Sequence, residues 1–297
     1  MAPAADAQNR ERRRSHLLIR RISNPIAFRP PWLKRSTILI AVFLIANRAS
    51  PAIELRAETI GAFDRFIAAV ETRLEPCFNG QHFLWSDESP GVRQQLLNGM
   101  VVAQPVQGNG SVAFKGGMVQ DWQGAVFISR AKLKDVLAVV QDYDHHRDFY
   151  KPDIEAARIV SRQGDEFLVY MRVVKKKFSL ADVLNTEQAI RFVQVDPRKV
   201  YSRSYSKSIR EVAAAGQPDE HELPPGQDRG LLWRLYGYWF FEERDDGVYI
   251  TCESITLTRD IPYGLAVLLG PLLHDLPGES LRKSLEQTRR AVLLTKP

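Results

Sequence analysis

The sequence predicts an α+β fold: a curved antiparallel sheet of about seven strands wrapped around a long C-terminal helix, with an N-terminal helical extension. Three observations predict it. From about residue 154 to 259 the apolar residues recur with period two, and only short turn signals interrupt them. Successive strands joined by short turns pair antiparallel. After them, from about Ile261 to Leu294, the apolar spacing becomes helical. A single apolar-faced helix needs a surface, and the concave face of the sheet is the one available. Before the first strand, residues 53–98 also carry helical spacing.

The chain opens on a leader. Its 297 residues carry a net charge of +6, yet residues 1–52 hold ten Lys/Arg against two Asp/Glu. The remaining residues hold 31 basic and 33 acidic side chains, so the body is slightly acidic. A polyanion-binding domain carries its basic residues on the folded surface, so no nucleic-acid partner is expected. Lys34 and Arg35 precede the ten-residue run TILIAVFLIA, and Ser50 and Ala52 stand at minus three and minus one of a cut. That order is a secretory signal peptide or, if uncleaved, an N-terminal membrane anchor. The run 37–46 is shorter than the roughly 20 residues of an ordinary span. The segment from Leu33 is a complete signal in itself, so translation starting there is an alternative. Export, to a periplasm or to a membrane-tethered state, is the expectation. The domains expected are the leader 1–52, the helical extension 53–98 and a ligand-binding domain 99–297.

In the extension, Ile60, Phe63, Ile67, Val70 and Leu74 share one helical face, and Pro76 is read as its stop. A second helix is expected from Ser89 as cap through Pro90 to Gly99. The runs GMVVAQPV and MVQDWQGAVFI are strands around a Gly-rich turn. That turn lacks the Gly-Lys-Ser/Thr of a phosphate loop. Ser129 is read as the cap of a helix whose face is Leu133, Val136, Leu137 and Val140. The connector DYDHHRDFYKPD reads as solvated and turn-forming. Strands are expected at 154–162, 166–175, 179–193, 199–211, 230–243 and 248–259. The loop 213–229 is polar and Pro-rich, and reads as mobile. The last helical stretch is expected to break at Pro271 and at Pro277-Gly278, with Leu281, Leu285 and Val292 along one face.

Strand 230–243 is apolar on both sides. One face is Trp233, Leu235, Trp239 and Phe241. The other is Leu232, Arg234, Tyr236, Tyr238 and Phe240. A two-residue turn at Asp245-Asp246 pairs Phe241 with Ile250 and Trp239 with Cys252. The first face then continues through Ser254 and Thr256, and is read as inward. The second meets Glu253 and carries Arg234, and is read as outward. Val169 and Met171 belong to the inward set. So does Ser204, in a serine alternation running from Ser202 to Ser208. Small hydroxyl residues facing in leave room for a ligand and give it polar contacts. The ligand-binding candidates are Trp233, Leu235, Trp239, Phe241, Met171, Val169, Ser204 and Cys252.

This element order resembles the helix-grip fold of the START-like (SRPBCC) superfamily of polyketide cyclases, coenzyme-Q-binding and lipid-transfer proteins. The resemblance covers about residues 118–294. It rests on VFISRAKLKDVLAVVQDYDHHRDFY, on LLWRLYGYWFFEERDDGVYITCESITLTRDIP and on the terminal helix. It implies an apolar cavity between sheet and C-terminal helix. It makes Ile261-Pro262 the corner between the last strand and that helix, and puts DYDHHRDFY at the cavity mouth as a gate. The implied ligand is an apolar or amphipathic small molecule of lipid, quinone or polyketide-like class. Two alternatives stand beside it. One is a cyclase or aromatase in which Arg203, Glu253, His146 or a Tyr moves protons. The other is a protein-interaction module. No G-x-S-x-G or H-E-x-x-H occurs. No catalytic residue, metal ligand or cofactor is therefore assigned. Lys175, Lys176 and Lys177 read as a solvated strand end, with a weak contact to anionic headgroups as the alternative. Cys77 and Cys252 are compatible with a disulfide or with two buried thiols.

Overall fold

The computed structural model describes residues 55–177, 180–224, 226–228, 232–259 and 276–295. The leader, with its apolar run 37–46, lies outside the described residues, and so does the Ile261-Pro262 corner. Among the described residues no helix is long and apolar enough to cross a membrane.

The extension forms helix α1 (Ala57–Phe78), a 3-10 turn (Trp85–Asp87) and helix α2 (Pro90–Leu97). Pro76 does not stop α1, which runs on to Phe78. A proline in the last turn costs little ladder, and Phe78 gains a stacked contact with Phe240, ring centroids 5.8 Å apart. Pro90 opens α2 as expected, and Gly99 leaves it with φ +81°.

Strands β1 (Val102–Pro105), β2 (Ser111–Phe114) and β3 (Gly117–Ser129) follow. Helix α3 (Leu133–Val140) comes next, then a 3-10 turn (Tyr143–His145) and the single-turn helix α4 (His146–Phe149). Ser129 is not the cap of α3, because it ends β3. The first backbone N–H of α3, that of Leu133, donates instead to Glu243 Oε2 at 2.7 Å. The long antiparallel run is β4 (Ile154–Gln163), β5 (Glu166–Lys177), β6 (Leu180–Asp196), β7 (Lys199–Ala213), β8 (His221–Glu222), β9 (Arg234–Arg244) and β10 (Gly247–Thr258). Helix α5 (Leu276–Leu294) closes the described chain. Pro277-Gly278 does not break α5 but lies in its first turn, where proline's missing N–H has no partner to lose.

Among the described residues the sheet has seven long strands, as expected, and three short ones, in the order β1-β3-β10-β9-β7-β6-β5-β4, with β2 on β3 and β8 on β7. The extra strands are short edges in stretches too brief to show a period. β8 pairs with the end of β7 through Val212–Glu222 and Ala213–His221, and so ties down part of the loop read as mobile. The Asp245-Asp246 turn has φ +55° and +56°, as a type I′ turn requires. It sets Phe241 opposite Ile250 and Trp239 opposite Cys252, the expected register.

Both faces of the sheet are covered. On one lie α5 and α3, with Leu281, Leu285, Val292 and Val136 buried against Val126, Ile128, Phe241 and Ile250. On the other lies α1, with Phe63, Ile67, Val70, Leu74 and Phe78 against Tyr201, Tyr238, Phe240 and Tyr249. The face of β9 read as outward is therefore core. Glu253, the residue that marked it as solvated, is 4% exposed and accepts from Arg73 of α1 at 2.5 Å. Tyr205 and Tyr238 both donate to Glu71 of α1, at 2.5 and 3.0 Å. Cys77 and Cys252 are free thiols in these two separate layers, Cys77 beside the α1 core and Cys252 within the α5 core.

Candidate functional site

On the α5 face the register lines up small residues. Ser204 of β7 stands opposite Gly237 of β9, Gly237 opposite Ser254 of β10, and Ser254 opposite Trp122 of β3. Three adjacent strands carry no bulk at this position, a hollow in side-chain size against which the Trp239 indole lies. A Cβ on Gly237 would lie 3.3 Å from Trp239 Nε1, so glycine lets that indole settle along its own strand. Trp239 stacks with Phe241, ring centroids 6.3 Å apart. Trp239, Leu235, Met171 and Ser204 are half-buried, in contrast to the sealed residues around them.

The floor is polar. Gln188 is 1% exposed, and its Oε1 accepts from Ser204 Oγ at 3.3 Å. Its Nε2 has no partner among the described residues. Ser206 Oγ accepts from the Leu235 N–H at 3.1 Å. Helix α5 packs chiefly on β3, β1, α3 and α4. It approaches β3 closely at Gly124, where a Cβ would lie 2.7 Å from Leu285 Cδ1.

Of the eight sequence candidates, Leu235, Trp239, Met171 and Ser204 are half-buried on the α5 face. Val169, Phe241 and Cys252 are sealed in the surrounding core, at 1% exposure or less. Trp233 is a correction: it packs in the α1-side core, and its indole N–H donates to Asp228 at 3.0 Å. It precedes β9, so strand alternation has no hold on it. Gln188 and Gly237 were missed, although the serine alternation of β7 pointed to their neighbours.

Of the proton-moving candidates, Arg203 and Glu253 flank Tyr238 in the register on the α1 face, and His146 lies apart from them. Arg203 lies on the α1 side, its guanidinium 3.8 Å from the Phe78 ring centroid. Glu253 lies under α1. His146 is buried between Tyr143 and Tyr150, with centroids 4.6 and 4.8 Å away. Its connector is thus not wholly solvated: Tyr143 and His146 belong to the interior, while His145 is exposed and bonds Asp142 at 2.8 Å. Burial lowers the His146 pKa to about 4, so the ring is neutral. Among the described residues no group of His, Cys, Asp and Glu could hold a metal. Lys175, Lys176 and Lys177 end β5, and their side chains lie outside the described ones.

The α1 side holds a separate pocket of about 210 Å³, lined by Arg73, Phe83, Trp85, Gln123, Thr251 and Glu253 among others. Burial lifts the Asp121 pKa to about 8, reinforced by the charge of Glu253 beside it. Burial also raises the Glu253 carboxyl, and the Arg73 guanidinium opposes that rise.

No protein-family model and no curated protein matches the chain. Solved structures do. The protein TTHA0849 from Thermus thermophilus aligns with TM-score 0.42 and 15% identity, over 59% of this chain and 98% of that one. A STAR-related lipid transfer protein from Xanthomonas axonopodis aligns with TM-score 0.38 and 17% identity, over 62% and 96%. The Zhui aromatase/cyclase from Streptomyces sp. R1128 aligns with TM-score 0.39 and 10% identity, over 59% and 93%. The chain's own strand order and its C-terminal helix on one sheet face make an α+β helix-grip fold, and START-type and aromatase/cyclase proteins are what it is similar to.

Proposed function

We propose that this chain is an exported binding protein that holds an apolar or amphipathic small molecule, of lipid, quinone or polyketide-like class, on the α5 face of its sheet. The observation that supports the reading is the cross-strand run of small residues Ser204, Gly237 and Ser254 beside the half-buried Trp239. Trp239, Leu235 and Met171 supply apolar wall. Ser204 and the unpartnered Gln188 amide supply a polar anchor for a hydroxyl or carbonyl. Such a division suits an amphipathic guest. Alkyl burial contributes ~0.8 kcal/mol per methylene, so each added pair of methylenes tightens binding roughly tenfold until the hollow is full.

Native mass spectrometry of the purified chain, then identification of what co-purifies, gives the ligand. Tryptophan emission titrated with quinones or fatty acids of increasing length measures affinity. Ser204→Leu fills the hollow and is expected to abolish the saturable change while the far-ultraviolet spectrum is retained. Unchanged binding in that variant removes the site. Export rests on the leader: Leu39→Arg with Leu44→Arg is expected to leave the protein in the cytoplasm. Secretion of that double variant at the normal level removes the export reading.

A further inference from the structure

The pocket under α1 has its own chemistry, on the opposite side of the sheet from the hollow. Its walls divide in two. Phe83, Trp85, Phe240 and Leu74 give an apolar half. Gln123, Thr251, Glu253 and Arg73 give a polar half. Thr251 is 1% exposed, and its hydroxyl has no hydrogen-bond partner among the described residues. Behind Glu253 stands Asp121, 7% exposed, whose Oδ1 also lacks a partner among them. Buried polar atoms of this kind are uncommon, because each forfeits its bonds to water.

We propose that this pocket is a second binding site, for a small molecule that joins a cationic nitrogen, as an amine or amidine, to a compact apolar body. The polar half is rich in acceptors: the Glu253 carboxyl, the Thr251 hydroxyl and the Gln123 amide oxygen. Aromatic faces on the other half attract a cation as well as an apolar body. Two carboxyls close together repel an anion. A wholly apolar guest would leave the Thr251 hydroxyl without a partner.

The pocket already seats one cation of its own. Arg73 places its guanidinium on Glu253 at 2.5 Å, yet its side chain is 42% exposed. It can swing into water when a ligand nitrogen takes its place, so Arg73 acts as an internal competitor. The volume, about 210 Å³, corresponds to roughly seven waters at ~30 Å³ each. It lies below the roughly 300–1,000 Å³ of sites for drug-sized ligands, so the guest is small.

Calorimetric titration of the intact chain with benzamidine, benzamide and benzoate near neutral pH tests this. Benzamidine is expected to bind, benzamide about tenfold more weakly or worse, and benzoate not at all. Thr251→Val keeps the shape of the wall and is expected to weaken benzamidine binding. Glu253→Gln should weaken it about tenfold or more, with thermal melting recorded to show that the variant folds. Arg73→Gln removes the competitor and is expected to tighten it. Equal binding of benzamidine and benzamide overturns the cation preference. Absence of benzamidine binding in both the wild type and Arg73→Gln overturns the site. Undiminished binding in Thr251→Val and folded Glu253→Gln alike places the ligand elsewhere and overturns it too. None of these readouts depends on a lipid or quinone binding the α5 face, so the two readings fail separately.

Discussion

His146 shows what burial does to one ring. The unfolded imidazole takes up a proton as pH falls below about 6.5, while the folded one resists until about 4. A pKa lowered by folding stabilises the native state only while the unfolded group is neutral too. That parity holds above about pH 6.5, is lost progressively as pH falls, and is fully lost below about 4. The difference corresponds to at most about 3 kcal/mol. His146→Gln keeps a polar side chain of similar size without the titration. Its stability relative to wild type is therefore expected to rise between pH 6.5 and pH 4, measured by urea unfolding at a series of pH values. A constant difference across that window shows that the ring titrates normally. His146 was also the residue hardest to place from sequence. Its neighbours Asp142, Asp144, His145 and Asp148 look like a solvated turn, and nothing local tells that one ring of an adjacent pair points inward. Trp239 and Trp233 make the same point with opposite outcomes. Both are aromatic, six residues apart in sequence, but the alternation that places the first has not yet begun at the second.

Helix α5 depends on what is missing from the strand beneath it. Leu281 and Leu285 close on Gly124, and Gly278 lies against the Trp122 ring, with no room for a Cβ at either glycine. Leu285→Ala removes a side chain that is 0% exposed and is expected to cost about 2–5 kcal/mol. Gly278→Val, at the edge of the same contact, is expected to lower the melting temperature by pushing α5 off Trp122. An unchanged melting temperature in both variants shows that α5 does not grip the sheet. At the other end of the same layer, Glu243→Ala strips the cap from α3. It is expected to cost about 1 kcal/mol, read as a lower urea midpoint at unchanged slope. That cap was not legible in sequence, because Glu243 reaches Leu133 across 110 positions. Ser129, close by in sequence, looked like the natural cap and proved to be strand. The period-two strands, by contrast, were legible to within a few residues. Each is long, all but β4 carry buried residues, and the Asp245-Asp246 turn fixes the register of β9 and β10 locally. Prolines misled where only their general effect was used. Pro76 and Pro277 both sit in terminal turns, which tolerate them.

At the scale of the molecule the sheet is a middle layer, and the sequence held both halves of that fact without joining them. Strand β9 is apolar on two faces, and α1 offers an apolar stripe with no stated surface to cover. A strand buried on both sides needs two covers, and α1 is the second. Glu253 concealed the match, because a carboxylate in a strand ordinarily marks solvent. Here Arg73 of α1 offsets it, and Glu71 takes the hydroxyls of Tyr205 and Tyr238 from the same helix. The covering is large in energetic terms. Phe63, Ile67, Val70, Leu74 and Phe78 are all below 9% exposure. At about 1.5–3 kcal/mol for each buried side chain, the five together contribute roughly 8–15 kcal/mol. That equals the whole net stability of an ordinary domain, about 5–15 kcal/mol. A chain that begins at Met100 retains every strand and α5, so it still contains all the elements of the α5-side hollow. It is nevertheless expected not to persist as a folded monomer. Its face of Tyr201, Tyr238, Phe240 and Tyr249 would be open to water, and exposed patches of that kind associate. Size-exclusion chromatography with light scattering, together with binding of a hydrophobic dye, reads the outcome. A monomeric, dye-free, cooperatively melting product would mean that α1 is an ornament on a self-sufficient domain. Aggregation that is relieved by adding residues 53–99 as a separate peptide would show that the helix completes the core from outside.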